Sequence, residues 1–189
     1  MDTARHQDTK RPARTQAARR SAAAILLAAG CTLLPVPAAH AVDATTCTGT
    51  SSVSYSPGLT LTSQTVTLAE TDTFTSCTST DPTITGLPTS PYTYPIPNAS
   101  CNSVQYAAGN TLVPHWNNGQ TSTISGVTYT TTNTAGITQT LGTGTITAGE
   151  FTGDIAVISW SYPLVNPLLC LLPGGLASQN GTIIFEVTG

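Results

Sequence analysis

Nucleophilic catalysis by serine or cysteine requires a neighbouring base, and after residue 41 the only histidine in this chain is His115. No Gly-x-Ser-x-Gly elbow accompanies it. Set beside Trp116 in an expected hairpin, His115 reads more simply as an ordinary hydrogen-bonded side chain. The other chemistry open to the chain is acid–base work by paired carboxyl groups, as in glycoside hydrolysis. Glu70, Asp72, Glu150, Asp154 and Glu186 are available. All but Glu186 fall at expected turns, where carboxylates normally face solvent. A catalytic residue is therefore not assigned. Turn carboxylates also attract hard cations, but no Asp-x-Asp-x-Asp loop is present, and neither a metal nor another cofactor is expected.

Aromatic side chains offer a different function. Tyr92 and Tyr94 lie within a proline-rich stretch, and Trp116 lies at a hairpin end. In such exposed places their ring faces can stack on sugar rings, so these three are the candidate binding residues. The run from Leu164 to Leu176 is the most apolar loop. Exposed, it would dock a protein or lipid; the simpler expectation is that it folds over the open end of the domain, held by a disulfide.

These residues belong to an exported domain. Arg5, Lys10, Arg11, Arg14, Arg19 and Arg20 precede an apolar run and the small-x-small triplet Ala39-His40-Ala41, the form of a signal peptide cut after Ala41. A lipoprotein box ending at Cys31 is the disfavoured alternative. Arg19-Arg20 hints at twin-arginine export. Removing 41 of 189 residues leaves 148, enough for one domain over 42–189, and no transmembrane segment is expected in it.

Cleavage there also removes every lysine and arginine. Seven carboxylates remain after residue 41, and no cationic side chain remains to pair with them or to neutralise phosphates. Nucleic acid is excluded as a partner on that ground. An extracellular glycan or protein is left as the class of partner.

Cys47, Cys77, Cys101 and Cys170 form an even set in an exported chain, which reads as two disulfides. Four cysteines allow three pairings. The pairing favoured is Cys47 with Cys77, closing an N-terminal strand pair, and Cys101 with Cys170. The absence of Cys-x-x-Cys argues against zinc.

Threonine-rich segments of alternating polarity, separated by Gly, Pro, Asn and Asp, predict short strands and no sustained helix. Cys47, Gly49, Ser51, Val53 and Tyr55 share one parity of a first strand. Ala69-Glu70-Thr71-Asp72 is read as a turn before a third strand at 73–79. The prolines between Asp81 and Asn98 predict an extended surface excursion. Asn117-Asn118-Gly119 marks a hairpin. Residues 154–162, apolar on both faces, are placed at the centre. The expected fold is an all-β antiparallel β-sandwich, immunoglobulin-like or jelly-roll, with two disulfides; the alternative is a closed β-barrel.

The leader ending Pro37-Ala-Ala-His-Ala41 resembles actinobacterial secretion signals. The pattern Cys47-x-Gly49, Tyr55-Ser-Pro-Gly-Leu59, Trp116-Asn-Asn-Gly119, Gly149-x-Phe151-x-Gly153-Asp154 and Leu169-Cys170 before Pro173-Gly-Gly175 is similar to small secreted actinobacterial β-sandwich proteins of unassigned activity. That resemblance implies no catalytic residues. The expectation is thus a non-enzymatic secreted or cell-surface binding or structural protein. A carbohydrate-binding module and a small carboxylate-dependent glycoside hydrolase are the alternatives.

Overall fold

Alternation of buried and exposed side chains runs through most strands of the computed structural model, which describes residues 44–189. The expected signal peptide, its cut after Ala41, and Cys31 lie outside the described residues. The strands are β1 (Ala44–Leu59), β2 (Gln64–Ser79), β3 (Ser90–Ala99), β4 (Asn110–Leu112), β5 (Ser122–Thr134), β6 (Ile137–Gly149), β7 (Ile155–Pro163) and β8 (Leu176–Thr188). A single 3-10 turn, Leu169–Leu171, is the only helical element among them. The described residues are all-β, as the threonine-rich alternation predicts.

All eight strands join one antiparallel sheet in the order β3-β2-β1-β8-β7-β6-β5-β4. Each strand lies beside its neighbours in the chain, and β1 pairs with β8 to join the two ends. Only β3 and β4 leave their shared edge unpaired. The strands form one continuous antiparallel sheet that curls into a half-barrel. β7 is one of its two central strands, as its apolar character predicts. Ala156, Ile158, Trp160 and Tyr162 point to the buried concave face, whereas Ile155 stays exposed on the other.

The proline-rich stretch becomes the edge strand β3. Pro91, Pro95 and Pro97 share one parity, so their missing N–H donors fall along one side of a strand that has only one partner. An edge is where such residues are tolerated.

Trp116 is not the exposed platform expected of it. Only 2% of it is accessible, and its indole Nε1 donates to Ser122 Oγ at 2.9 Å. Phe151 and Phe185 meet its ring edge-on at 5.3 and 5.6 Å. The hairpin predicted from Asn117-Asn118-Gly119 exists, but the 81–88 segment covers it. Asn117 Oδ1 accepts from the backbone N–H groups of Thr85 and Gly86, and its own N–H donates to Gly86 O. That lacing buries Ile84 and Leu87 together with Trp116.

Cys47 is bonded to Cys77 and Cys101 to Cys170, the predicted pairing. The first bridges register partners on β1 and β2. The second ties the segment after β3 to the loop between β7 and β8. In that loop Cys170 is buried, while Leu168 and Leu171 are 67% and 65% exposed.

Candidate functional site

β2 alternates inward at Val66, Leu68, Glu70 and Asp72. The turn expected at 69–72 is therefore absent, and one strand of 16 residues replaces two shorter ones. Pairing on both sides carries the backbone through: Glu70 lies between Val53 and Tyr92, and Asp72 between Ser51 and Ser90. Two carboxyl groups expected at the surface are each only 4% accessible.

Glu70 is held by three hydroxyl groups. Tyr94 donates to Oε2 at 3.1 Å, and Ser51 and Tyr162 donate to Oε1 at 3.2 and 3.1 Å. Ser51 and Tyr162 also approach each other at 2.8 Å. These three contacts around Oε1 have only two hydroxyl protons to share when Glu70 is ionised. A proton on the carboxyl completes the ring. Burial, then the neighbouring Asp72 charge, pushes Glu70 up from 4.5 to about 7, against the pull of the donated hydrogen bonds. Burial likewise raises Asp72, with the nearby Ser51 hydroxyl and Trp160 indole pulling it partly back.

Tyr162 reaches this cluster from β7 across β8, and Gly181 makes the crossing possible. Gly181 pairs with Ser51, and a Cβ on it would lie 2.7 Å from Tyr162 Cδ1 and 2.3 Å from the Ser161 carbonyl oxygen. Gly142 plays a comparable part on β6: its bare backbone lies under Tyr129 and Trp160.

Glu70 and Asp72 open onto a cavity of about 750 Å³ on the concave side of the sheet. Phe74, Ile158, Ile183 and Phe185 form apolar wall. A row of rings spans from the β3 edge towards the far side: Tyr94 to Tyr106 at 6.2 Å, Tyr106 stacked on Tyr129 at 5.2 Å, and Tyr129 to Trp160 at 6.3 Å. Tyr106 comes from the segment that crosses between the two unpaired edges. Asn110 fixes Tyr129 by donating to its hydroxyl at 2.8 Å.

Of the predicted binding residues, Tyr92 and Tyr94 both line this cavity, because their shared parity on β3 turns them inward. Trp116 is absent from its lining. His115 is exposed and pairs through its backbone with Thr121. Glu186 faces solvent, and Glu150 and Asp154 stand at the β6–β7 hairpin, so none of them joins Glu70 and Asp72. Sequence reasoning missed the carboxyl pair, Tyr106, Tyr129 and Trp160 as one constellation. Continuing the parity of Val66 and Leu68 through Asp72 to Phe74 was the signal that would have found its floor.

The arrangement can bind an apolar body between rings and hold a polar group at one place. Among the described residues no three His, Cys, Asp or Glu side chains gather to hold a metal ion. No helix of the described residues is long and apolar enough to cross a membrane. Compared with known proteins, the chain matches no protein-family model, no curated protein and no solved structure.

Proposed function

We propose that this protein is an exported, non-enzymatic binding protein whose half-barrel holds one small, largely apolar molecule. The observation that carries this reading is the aromatic cavity of about 750 Å³ with the Glu70 and Asp72 carboxyls in its lining. Small-molecule sites commonly enclose roughly 300–1,000 Å³ and combine apolar walls with a few convergent polar groups. The sheet is an up-and-down barrel opened between β3 and β4, rather than an immunoglobulin-like or jelly-roll sandwich. Its strands follow chain order around the ring, which Greek-key connections would interrupt. The unpaired edges give the ligand its way in. Two disulfides suit an oxidising compartment outside the cytoplasm, in keeping with the leader that ends at Ala41.

The test is titration with prodan, a neutral naphthalene whose emission reports polarity. The unaltered protein should shift its emission to the blue with saturable binding. Ala107→Trp, which sets an indole at an exposed position of the cavity lining, should weaken that binding. No saturable shift with the unaltered protein removes the reading.

The two carboxyl groups in one cavity favour a second reading, a small glycoside hydrolase with Glu70 as acid. Against it, both carboxyls stand on the same face of one strand, whereas glycosidic cleavage needs them on opposite sides of the scissile bond. A hydrolase screen decides: activity lost in Glu70→Gln would favour this reading over simple binding.

A further inference from the structure

Asp72 is the one cavity carboxyl with an unanswered atom. Its Oδ2 accepts from the Trp160 indole at 3.4 Å, whereas its buried Oδ1 has no hydrogen-bond partner among the described residues. Buried acceptors are nearly always paired, because losing water without gaining a donor costs free energy. Nor do the described residues hold a lysine or arginine to supply a counter-charge. Every lysine and arginine lies at or before Arg20, and His115, the one histidine among the described residues, is exposed. Beside these carboxyls stand the rings of Tyr94, Tyr106, Tyr129 and Trp160, whose π faces attract cations.

We propose that the ligand is a small amphipathic primary amine, its apolar body held among the rings and its ammonium donating to Asp72 Oδ1 and the Glu70 carboxyl. This inference rests on the cavity being a ligand site. The orphaned oxygen requires a donor, so an ammonium bearing N–H fits where a quaternary ammonium does not. An alcohol of the same shape donates one hydrogen bond but brings no charge. Folding has already stripped both carboxyls of water, so on binding only the ligand's own hydration is lost, and a charge-assisted pair forms in a site of low polarity.

Three ligands of one shape test the inference by displacement of prodan at about pH 8: phenethylamine, 2-phenylethanol and trimethyl(2-phenylethyl)ammonium. Phenethylamine should compete at concentrations about tenfold or more below the alcohol, as expected for a charge-assisted hydrogen bond, and should also exceed the quaternary ion. In Asp72→Asn the ratio of amine to alcohol should fall severalfold, the Glu70 carboxyl keeping the remainder. If that variant fails to fold by circular dichroism, the three-ligand series on the unaltered protein decides alone. Prodan binding with equal competition by amine and alcohol, or a preference undiminished in folded Asp72→Asn, overturns the amine and leaves the cavity reading intact. A quaternary ion as strong as the primary amine also overturns it. Absence of prodan binding overturns both.

Discussion

Glu70→Gln, compared with the unaltered protein between about pH 4 and pH 8.5, isolates what one buried carboxyl does to stability. The folded protein holds the Glu70 proton up to about pH 7, whereas an unfolded chain releases it near 4.5. Between these values the native state binds more protons than the unfolded state, so stability is whole below pH 4.5 and falls as pH rises through 7. A gap of two and a half units at 1.36 kcal/mol per unit amounts to about 3 kcal/mol. Little screening by solvent applies, because Glu70 is almost fully buried. Asp72 is raised in the same direction and deepens the fall. The carboxamide that replaces the Glu70 carboxyl in this variant stays neutral throughout, can donate into the Ser51–Tyr162 pair, and can still accept from Tyr94. Urea unfolding with both disulfides intact, followed by tryptophan emission and circular dichroism, gives the free energies. The unaltered protein should lose about 3 kcal/mol or more over the range, roughly 10 °C in Tm for a domain of this size. The variant should lose less and be the more stable of the two at pH 8.5. A protein that holds or gains stability on going to pH 8.5, or a variant that tracks it, would refute the reasoning about the buried network.

Other perturbations test the parts around it. Gly181→Ala puts a methyl group against the Ser161 carbonyl and the Tyr162 ring; a loss of about 2–3 kcal/mol in urea unfolding is expected, and a neutral effect would show that β8 can shift aside. Trp116→Ala should cost about 3–5 kcal/mol, as truncation of a core aromatic does, whereas an exposed sugar-stacking residue would cost almost nothing. Replacing Cys101 and Cys170 together by serine frees a chain separation of 69 residues and should lower stability by about 4 kcal/mol in the chain-entropy picture, again read from urea unfolding. Burial, reinforced by the Glu70 charge, holds Tyr55, Tyr94 and Tyr162 above the usual phenol range. Absorbance at the phenolate band should therefore rise cooperatively with alkaline unfolding rather than gradually from pH 10; a gradual rise complete before unfolding would contradict the buried positions.

Strand character, disulfide pairing and the central place of β7 were legible because each depends on local pattern or simple counting. Side chains alternate along a pleated strand, so Cys47, Ser51, Val53 and Tyr55 declare their common face without reference to the rest of the chain. Four cysteines after residue 41 allow only three pairings. The tyrosines of β3 could be singled out because Tyr92 and Tyr94 stand two apart between prolines that no central strand accepts.

The site was decided elsewhere. A carboxyl is inexpensive at a turn and costly in a core, so Glu70 and Asp72 read as a turn until the hydroxyls that hold them are known. Those hydroxyls arrive from β1, β3 and β7, separated from Glu70 by 19, 24 and 92 residues. Trp116 shows the converse: an aromatic beside Asn-Asn-Gly looks exposed until the 81–88 segment is laced over it through Asn117. The continuity of the curved sheet follows from the β1–β8 pairing, which joins the two ends of the described chain. Local sequence thus determined which residues alternate and which sulfurs pair. Only the closing of distant strands onto one concave face determined what the inward side chains meet, since burial and hydrogen-bond satisfaction belong to the assembled sheet and not to any one segment.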